Sequence, residues 1–342
     1  MKNRAENVLI SPFFFVLIII SSIILPFYSV TSLSVTVTTD KPAYDPGDII
    51  QIYGNLTLDE SLVTDGLVGI QVQTPEDSLL AIRTVNTGAN PPETPYVEVL
   101  SVVPCNSSGE LQETFKRGSL SYFKITVRNH DHVEPRDALI TVNTYDQNNI
   151  PFGSASVETT IHQQTTTTTI ISIPIPSDAT TGNSTAYANA YTGWPIEEIE
   201  LGIHGTPYCP EVYATFEIID GSFQAATSTT RNHTPATQEI NGNYNLTFQL
   251  TPQATPGNYS IYVSSRYWGE ETFNNTKFKV LLLGDFDGDG DIDFDDIVYF
   301  ADAYILYWTG GSADPRCDFD CDGDIDYDDI VNFAAAYIEY WS

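Results

Sequence analysis

Twelve aspartates near the C-terminus are the residues in this chain best arranged for chemistry. They form two sets of identical spacing: Asp285, Asp287, Asp289, Asp291, Asp293 and Asp296, then Asp318, Asp320, Asp322, Asp324, Asp326 and Asp329. In each twelve-residue loop, positions 1, 3, 5, 9 and 12 offer side-chain oxygens. Position 7 (Asp291 or Asp324) offers a backbone carbonyl, and position 6 is the glycine of a sharp turn, Gly290 or Gly323. Six to eight oxygens in a flexible shell are what calcium takes, so the pattern predicts two bound calcium ions.

The two loops belong to a longer repeat. Shifting the chain by 33 residues lays Gly284–Trp308 on Cys317–Trp341 with 19 of 25 positions identical. Each loop leads into a segment of helical periodicity. Ile297, Phe300, Ala301, Tyr304 and Trp308 are expected to form one apolar stripe, and Ile330, Phe333, Ala334, Tyr337 and Trp341 its copy. At loop position 8, Ile292 and Ile325 are expected to pair the loops through a short strand contact and bury their side chains. Gly284 and Gly288 of the first copy become Cys317 and Cys321 in the second, which suggests a disulfide beside the second loop. Four cysteines allow three pairings. The favoured one joins Cys317 to Cys321 and Cys105 to Cys209.

Two loop–helix units of EF-hand-like spacing, each without an entering helix, resemble a type I dockerin. The resemblance covers about 60 residues. It implies a small all-α calcium-binding domain whose partner is a cohesin-like protein, with either repeat able to face that partner. The resemblance also has departures. Dockerins carry small hydroxyl residues at loop positions 10 and 11, where this chain has Phe294 and Asp295, then Tyr327 and Asp328. The basic residues further along the helix are replaced by Asp302-Ala303 and Ala335-Ala336. Phe294, Asp295, Tyr327 and Asp328 are thus the candidate partner-binding residues, and a partner shaped for Ser or Thr would not accept them.

Charge placement agrees with a need for cations. The chain carries 14 Lys+Arg against 45 Asp+Glu, a net charge of -31. Residues 284–342 hold 17 acids and one base, Arg316, about half of the total. So acidic a surface repels nucleic acid and anionic lipid. At the other end, Lys2 and Arg4 precede an apolar run from Val8 to Tyr28, as in a secretory signal or an uncleaved membrane anchor. Seven N-x-S/T sequons and four cysteines are compatible with an oxidising exterior. The expected location is secreted or cell surface, with membrane contact only through that N-terminal segment.

From Leu33 to about Val280 the sequence alternates over short runs separated by Gly, Pro, Asn and Asp, which predicts strands. The expected fold class is mainly β: tandem immunoglobulin-like β-sandwiches followed by the small α domain. The expected divisions are 1–32 signal or anchor, 33–103 a first sandwich, 104–215 a second, 216–280 a third and 281–342 the repeats. The run Asp40-Lys41-Pro42-Ala43-Tyr44-Asp45-Pro46-Gly47-Asp48 resembles the opening of macroglobulin-like domains. Phe123–Asn129 is similar to the first strand of adhesion-type immunoglobulin-like modules.

Signatures of catalysis are missing: the sequence has no H-E-x-x-H, G-x-S-x-G, phosphate loop or zinc spacing. His130-Asp131-His132 reads as an exposed hairpin, and the acidic cluster Glu197, Glu198 and Glu200 beside Trp194 imitates a glycosidase pair only in composition. Tyr187, Tyr191 and Trp194, or Tyr262, Tyr267 and Trp268, would bind polysaccharide or cell-surface glycan if they formed an exposed row. The expectation is a non-enzymatic, calcium-dependent docking or assembly protein. The alternatives are a carbohydrate-binding accessory protein and an adhesin with no cohesin partner.

Overall fold

In a computed structural model, residues 32–88, 95–196, 204–220, 241–319 and 323–341 are described. The expected signal or anchor segment and the Glu197–Glu200 cluster lie outside them. The described chain is mainly β, with eighteen strands followed by two α-helices. No described helix is long and apolar enough to cross a membrane.

The motif Asp40–Asp48 shows how the first sandwich starts. Tyr44 is buried, and its hydroxyl donates to Asp40 Oδ1 at 2.7 Å while accepting from the Lys41 backbone N–H. Asp48 N–H closes the following turn on Asp45 O at 3.1 Å, with Gly47 at φ 88°. That conformation is the one a Pro-Gly turn demands. The turn feeds β4 (Ile49–Leu58), whose Ile50, Ile52 and Leu56 point inward. Complete burial of each such side chain contributes about 1.5–3 kcal/mol.

The partners of β4 correct the expected domain division. Antiparallel to it runs β16 (Asn243–Gln249), from Asn243 opposite Asn55 to Gln249 opposite Ile49. The second sheet places β17 (Gly257–Tyr267) between β18 (Glu270–Val280) and β6 (Leu67–Gln73), with β7 (Leu79–Asn86) at the edge. Segments expected as a first and a third sandwich are therefore two halves of one. The two halves share one core, which encloses Ile50, Ile70, Phe248, Tyr259 and Phe278.

Between these halves the chain forms a second sandwich. One sheet contains β8 (Val97–Cys105), β10 (Leu120–Asn129) and β13 (Thr166–Pro174). The other has the order β12, β11, β14, β15, β9, from Pro151–Ile161, Arg136–Tyr145, Gly182–Tyr191, Val212–Ile219 and Thr114–Lys116. β8, most of which falls within the expected first division 33–103, pairs instead with β10 from Cys105 opposite Tyr122 to Val97 opposite Asn129.

This inserted sandwich caps the edge of β7, an edge that would otherwise offer unpaired backbone groups. Ile82 N–H donates to Asn143 Oδ1, and Ser154 Oγ donates to Leu80 O. Arg83 reaches across to Glu211 with a two-pronged ion pair, Nε–Oε2 2.8 Å and Nη2–Oε1 2.6 Å. Its guanidinium lies 3.3 Å from the centre of the Tyr187 ring.

The expected Cys105–Cys209 disulfide is absent. Both are free buried thiols. Cys209 Sγ accepts a hydrogen bond from Val99 N–H at 3.4 Å, whereas Cys105 lies six residues further along β8. At ~3.3 Å per residue that is roughly 20 Å, far beyond a disulfide's reach. Burial pushes the Cys209 thiol up to about 12.

Candidate metal centre

Two helices follow the sandwiches: α1 (Phe294–Trp308) and α2 (Tyr327–Trp341). Asp293 caps α1, accepting from Asp295 N–H through its side chain. Asp296 reaches back to the Asp293 N–H at 2.8 Å to complete a capping box. In the second repeat Asp326 N–H donates to Asp329 Oδ2 at 2.7 Å. The twelfth loop residue thus serves helix initiation as well as the loop.

The first loop folds around its carboxylates. Asp285 Oδ1 accepts from Gly288 N–H (2.7 Å) and its Oδ2 from Gly290 N–H (3.0 Å). Asp296 Oδ1 accepts from Phe286 N–H at 2.6 Å. Gly290 and Gly323, the sixth positions, adopt φ 105° and 100°, a conformation in which a side chain would be strained. The described part of the second loop repeats the arrangement: Gly323 N–H donates to Asp318 Oδ2, and Phe319 N–H to Asp329 Oδ1.

Among the described residues three groups of carboxylates bring ligand atoms within 4.8 Å of one another: Asp285, Asp287 and Asp289; Asp291, Asp293 and Asp296; and Asp324, Asp326 and Asp329. Each could hold a metal ion. Asp320, Asp322 and Cys321 lie outside the described residues. Phe294 and Tyr327 are highly exposed, as are Asp295 and Asp328.

The electrostatics favour a cation. Burial pushes the Asp291 carboxyl above the ordinary carboxylate range, and repulsion from Asp289, Asp293, Asp296 and Asp287 adds to it. Asp287 moves the same way: the Asp289 N–H pulls it down, but burial and the surrounding acids outweigh that bond. Asp291 Oδ1 is buried with no hydrogen-bond partner. A buried polar atom left unpaired is costly, and a cation would pair it. An all-oxygen donor set fits a hard divalent ion. Arg316, the one base of this region, is bound elsewhere, to Asp314 at 2.7 Å and to the Phe286 carbonyl.

Behind the loops lies a core of repeat-related rings. Phe300 and Phe333 stack at 4.9 Å and 13°, flanked by Phe286 and Phe319, with Ile292 and Ile325 buried beside them. The side chains at position 8 are thus buried as expected, but no strand pairing joins the two loops among the described residues. The free carbonyls go to indoles instead. Trp308 Nε1–H donates to Ile325 O at 2.9 Å, and Trp341 Nε1–H to Ile292 O at 2.7 Å.

The expected helical stripe mixed two faces. The buried face of α1 is Asp296, Phe300 and Ala303; Ile297, Ala301 and Trp308 point outward. With Phe294, Val298 and Ile305 they form a second, exposed apolar stripe, which Tyr327, Ile330, Val331, Ala334, Ile338 and Trp341 repeat on α2. Periodicity reveals that a helix has an apolar face, but not how many it has.

Cys317 is a free thiol buried in this core, pushed up to about 12 by burial. In the first repeat a Cβ on Gly284 would touch Ile292 and Phe333 at 3.4 Å. Cys317 fills the equivalent place in the second as a small apolar group, which corrects its assignment to a disulfide.

The remaining candidates disperse. His130 pairs with Glu98 at 2.7 Å, and Asp131 holds Arg136. Tyr191 is fully buried and Tyr187 lies under Arg83. Tyr262 and Tyr267 are half-buried, and Trp268 alone of its set is strongly exposed.

No protein-family model and no curated protein matches the chain. Solved structures match loosely. The C-terminal domain of Wzt matches at TM-score 0.30 and 7% identity, over 40% of this chain and 85% of that one. A CARDB domain from Pyrococcus furiosus, in complex with di-metal ions, matches at TM-score 0.23 and 12% identity, over 37% and 90%. Trypsin-activated α-2-macroglobulin from Escherichia coli matches at 0.21 and 8%, over 73% and 23%. None of these likenesses carries a functional argument.

Proposed function

We propose that this is an exported, non-catalytic protein whose C-terminal repeats form a dockerin-like module that binds two calcium ions and docks onto a cohesin-like partner. The sandwiches serve as a spacer or adhesive body. The observation that carries this reading is the aspartate cage, present in both repeats with its turn glycine at positive φ. Asp285, Asp287, Asp289, Asp293 and Asp296 would hold one ion with the Asp291 carbonyl. Asp318, Asp320, Asp322, Asp326 and Asp329 would hold the other with that of Asp324.

Docking is supported by the exposed stripes on α1 and α2. Soluble proteins rarely leave contiguous apolar surface uncovered. Phe294 and Tyr327 begin those stripes, so the partner surface must accept a ring where the family's usual partner accepts a hydroxyl.

Calcium titration of the chain beginning at residue 33 tests the reading. Two ions should bind per chain, with a gain in helical circular dichroism. A protein that takes up no calcium in calorimetry would remove the dockerin reading. The function would then have to be sought in the sandwiches.

A further inference from the structure

The two strongly exposed tryptophans of the helices touch tyrosines of their own repeats but direct their indole N–H groups to the opposite repeat. Trp308 closes α1, which follows the first loop, yet its indole N–H bonds to Ile325 of the second loop at 2.9 Å. Trp341 closes α2 and bonds to Ile292 of the first loop at 2.7 Å. The two residues are 61% and 62% exposed, and among the described residues the indole bond is the one polar tie of each to the opposite loop.

The acceptors occupy a sensitive place. Ile292 lies between Asp291, whose carbonyl is the seventh-position ligand, and Asp293, which supplies the ninth and caps α1. Ile325 lies likewise between Asp324 and Asp326. Both isoleucine side chains are buried, so the backbone there can turn only with the aromatic core. A bond on that carbonyl restrains the peptide groups carrying two metal ligands. In return, an ion that orders those ligands restrains the carbonyl and the tryptophan on it.

We infer that Trp308 and Trp341 are positioning residues for the opposite metal loops, so that calcium in each loop sets the tryptophan on the exposed stripe of the other helix. This rests on the calcium reading above and deepens it. The two sites become coupled, and one empty loop disturbs the stripe it does not precede. Coupling of this kind is reciprocal.

The test uses the chain from residue 33 with a single reporter. Trp194, Trp268 and Trp341 are changed to Phe, leaving Trp308 as the fluorophore, and calcium alone is titrated. Asp318→Ala in the second loop should move the midpoint of the Trp308 response at least tenfold, and Asp285→Ala in the first should move it less. A reporter retaining only Trp341 should show the opposite order. Trp308 responding to Asp285→Ala but not to Asp318→Ala would overturn the inference.

Loop substitutions can unfold the module, so Trp308→Phe provides a second measurement. It keeps an aromatic ring and removes one N–H. By calorimetry it should weaken one of the two ions about fivefold, the worth of one ordinary hydrogen bond, and the second-loop ion should be the one affected. Unchanged binding of both ions would overturn the inference while leaving the calcium reading intact. No uptake by the unsubstituted chain would overturn both.

Discussion

At the junction of the two sandwiches Glu211 is buried against Arg83, and each oxygen of the carboxylate accepts from the guanidinium. In the C-terminal repeats Asp285, Asp296 and Asp329 are buried as deeply, and there backbone N–H groups donate to the carboxylates. Asp291 Oδ1 has no partner at all. The first region neutralises its charge within the chain. The second gathers carboxylates that could hold a metal ion, with a single base, Arg316, in the same stretch of sequence. The junction should therefore be indifferent to ions in solution, and the repeats should depend on them.

Chelation gives the largest expected contrast. In EDTA the helical signal of residues 294–341 should disappear, because two short helices over a small core cannot offset the repulsion of 17 acids. The sheet signal should stay. Equal loss of both, or of neither, would end the contrast. Glu211→Ala comes next. It leaves the Arg83 guanidinium buried and unpaired, which costs about 3–5 kcal/mol. The cost should appear as a lower melting temperature of the sandwiches, with the calcium midpoint unmoved. Burial works against the charge of Arg83, and Glu211 more than restores it, raising the pKa well above the usual arginine range. Arginine is too basic to be deprotonated in a protein, so in the variant the guanidinium keeps its charge and only the burial penalty remains.

How much of this was legible in the sequence depended on distance along the chain. The loop conformation was readable because the aspartates, the turn glycine and the cap fall within twelve residues, and the repeat shows the pattern twice. The strands of the inserted sandwich were readable for the same local reason. The union of β4 with β16 was not, since about 190 residues separate them and the inserted domain has its own complete pattern. The Arg83–Glu211 pair was hidden likewise, its two members being 128 residues apart. The indole bonds were missed because tryptophan at the end of a helical stripe reads as packing. The exposure of its ring and the direction of its N–H are visible only in three dimensions.

A smaller effect should separate the regions by pH. Asp287 and Asp291 carry raised carboxyl pKa values in the folded repeats, so the folded state holds protons that the unfolded chain releases. Without metal, the penalty is absent below the unfolded value, about 3.9, and is complete once pH exceeds the folded value. In chelator, helical signal should therefore grow as pH falls from 7 toward 4. With calcium bound the trend should reverse, because protons then compete with the ion. A helical signal that falls with pH in chelator would show that another group governs the repeats.

The smallest expected effect is none. Cys105, Cys209 and Cys317 sit in three separate surroundings: the end of β8, the Val99 amide and the aromatic core of the repeats. A disulfide among them would tie the unfolded chain and add about 2–4 kcal/mol. A reductant should therefore leave the melting of the sandwiches unchanged. A lower melting temperature in reductant would mean that a covalent link shares the burden assigned to Arg83 and Glu211. With no such shift, the junction is held by packing, hydrogen bonds and the Arg83–Glu211 ion pair, and solution conditions act chiefly on the repeats.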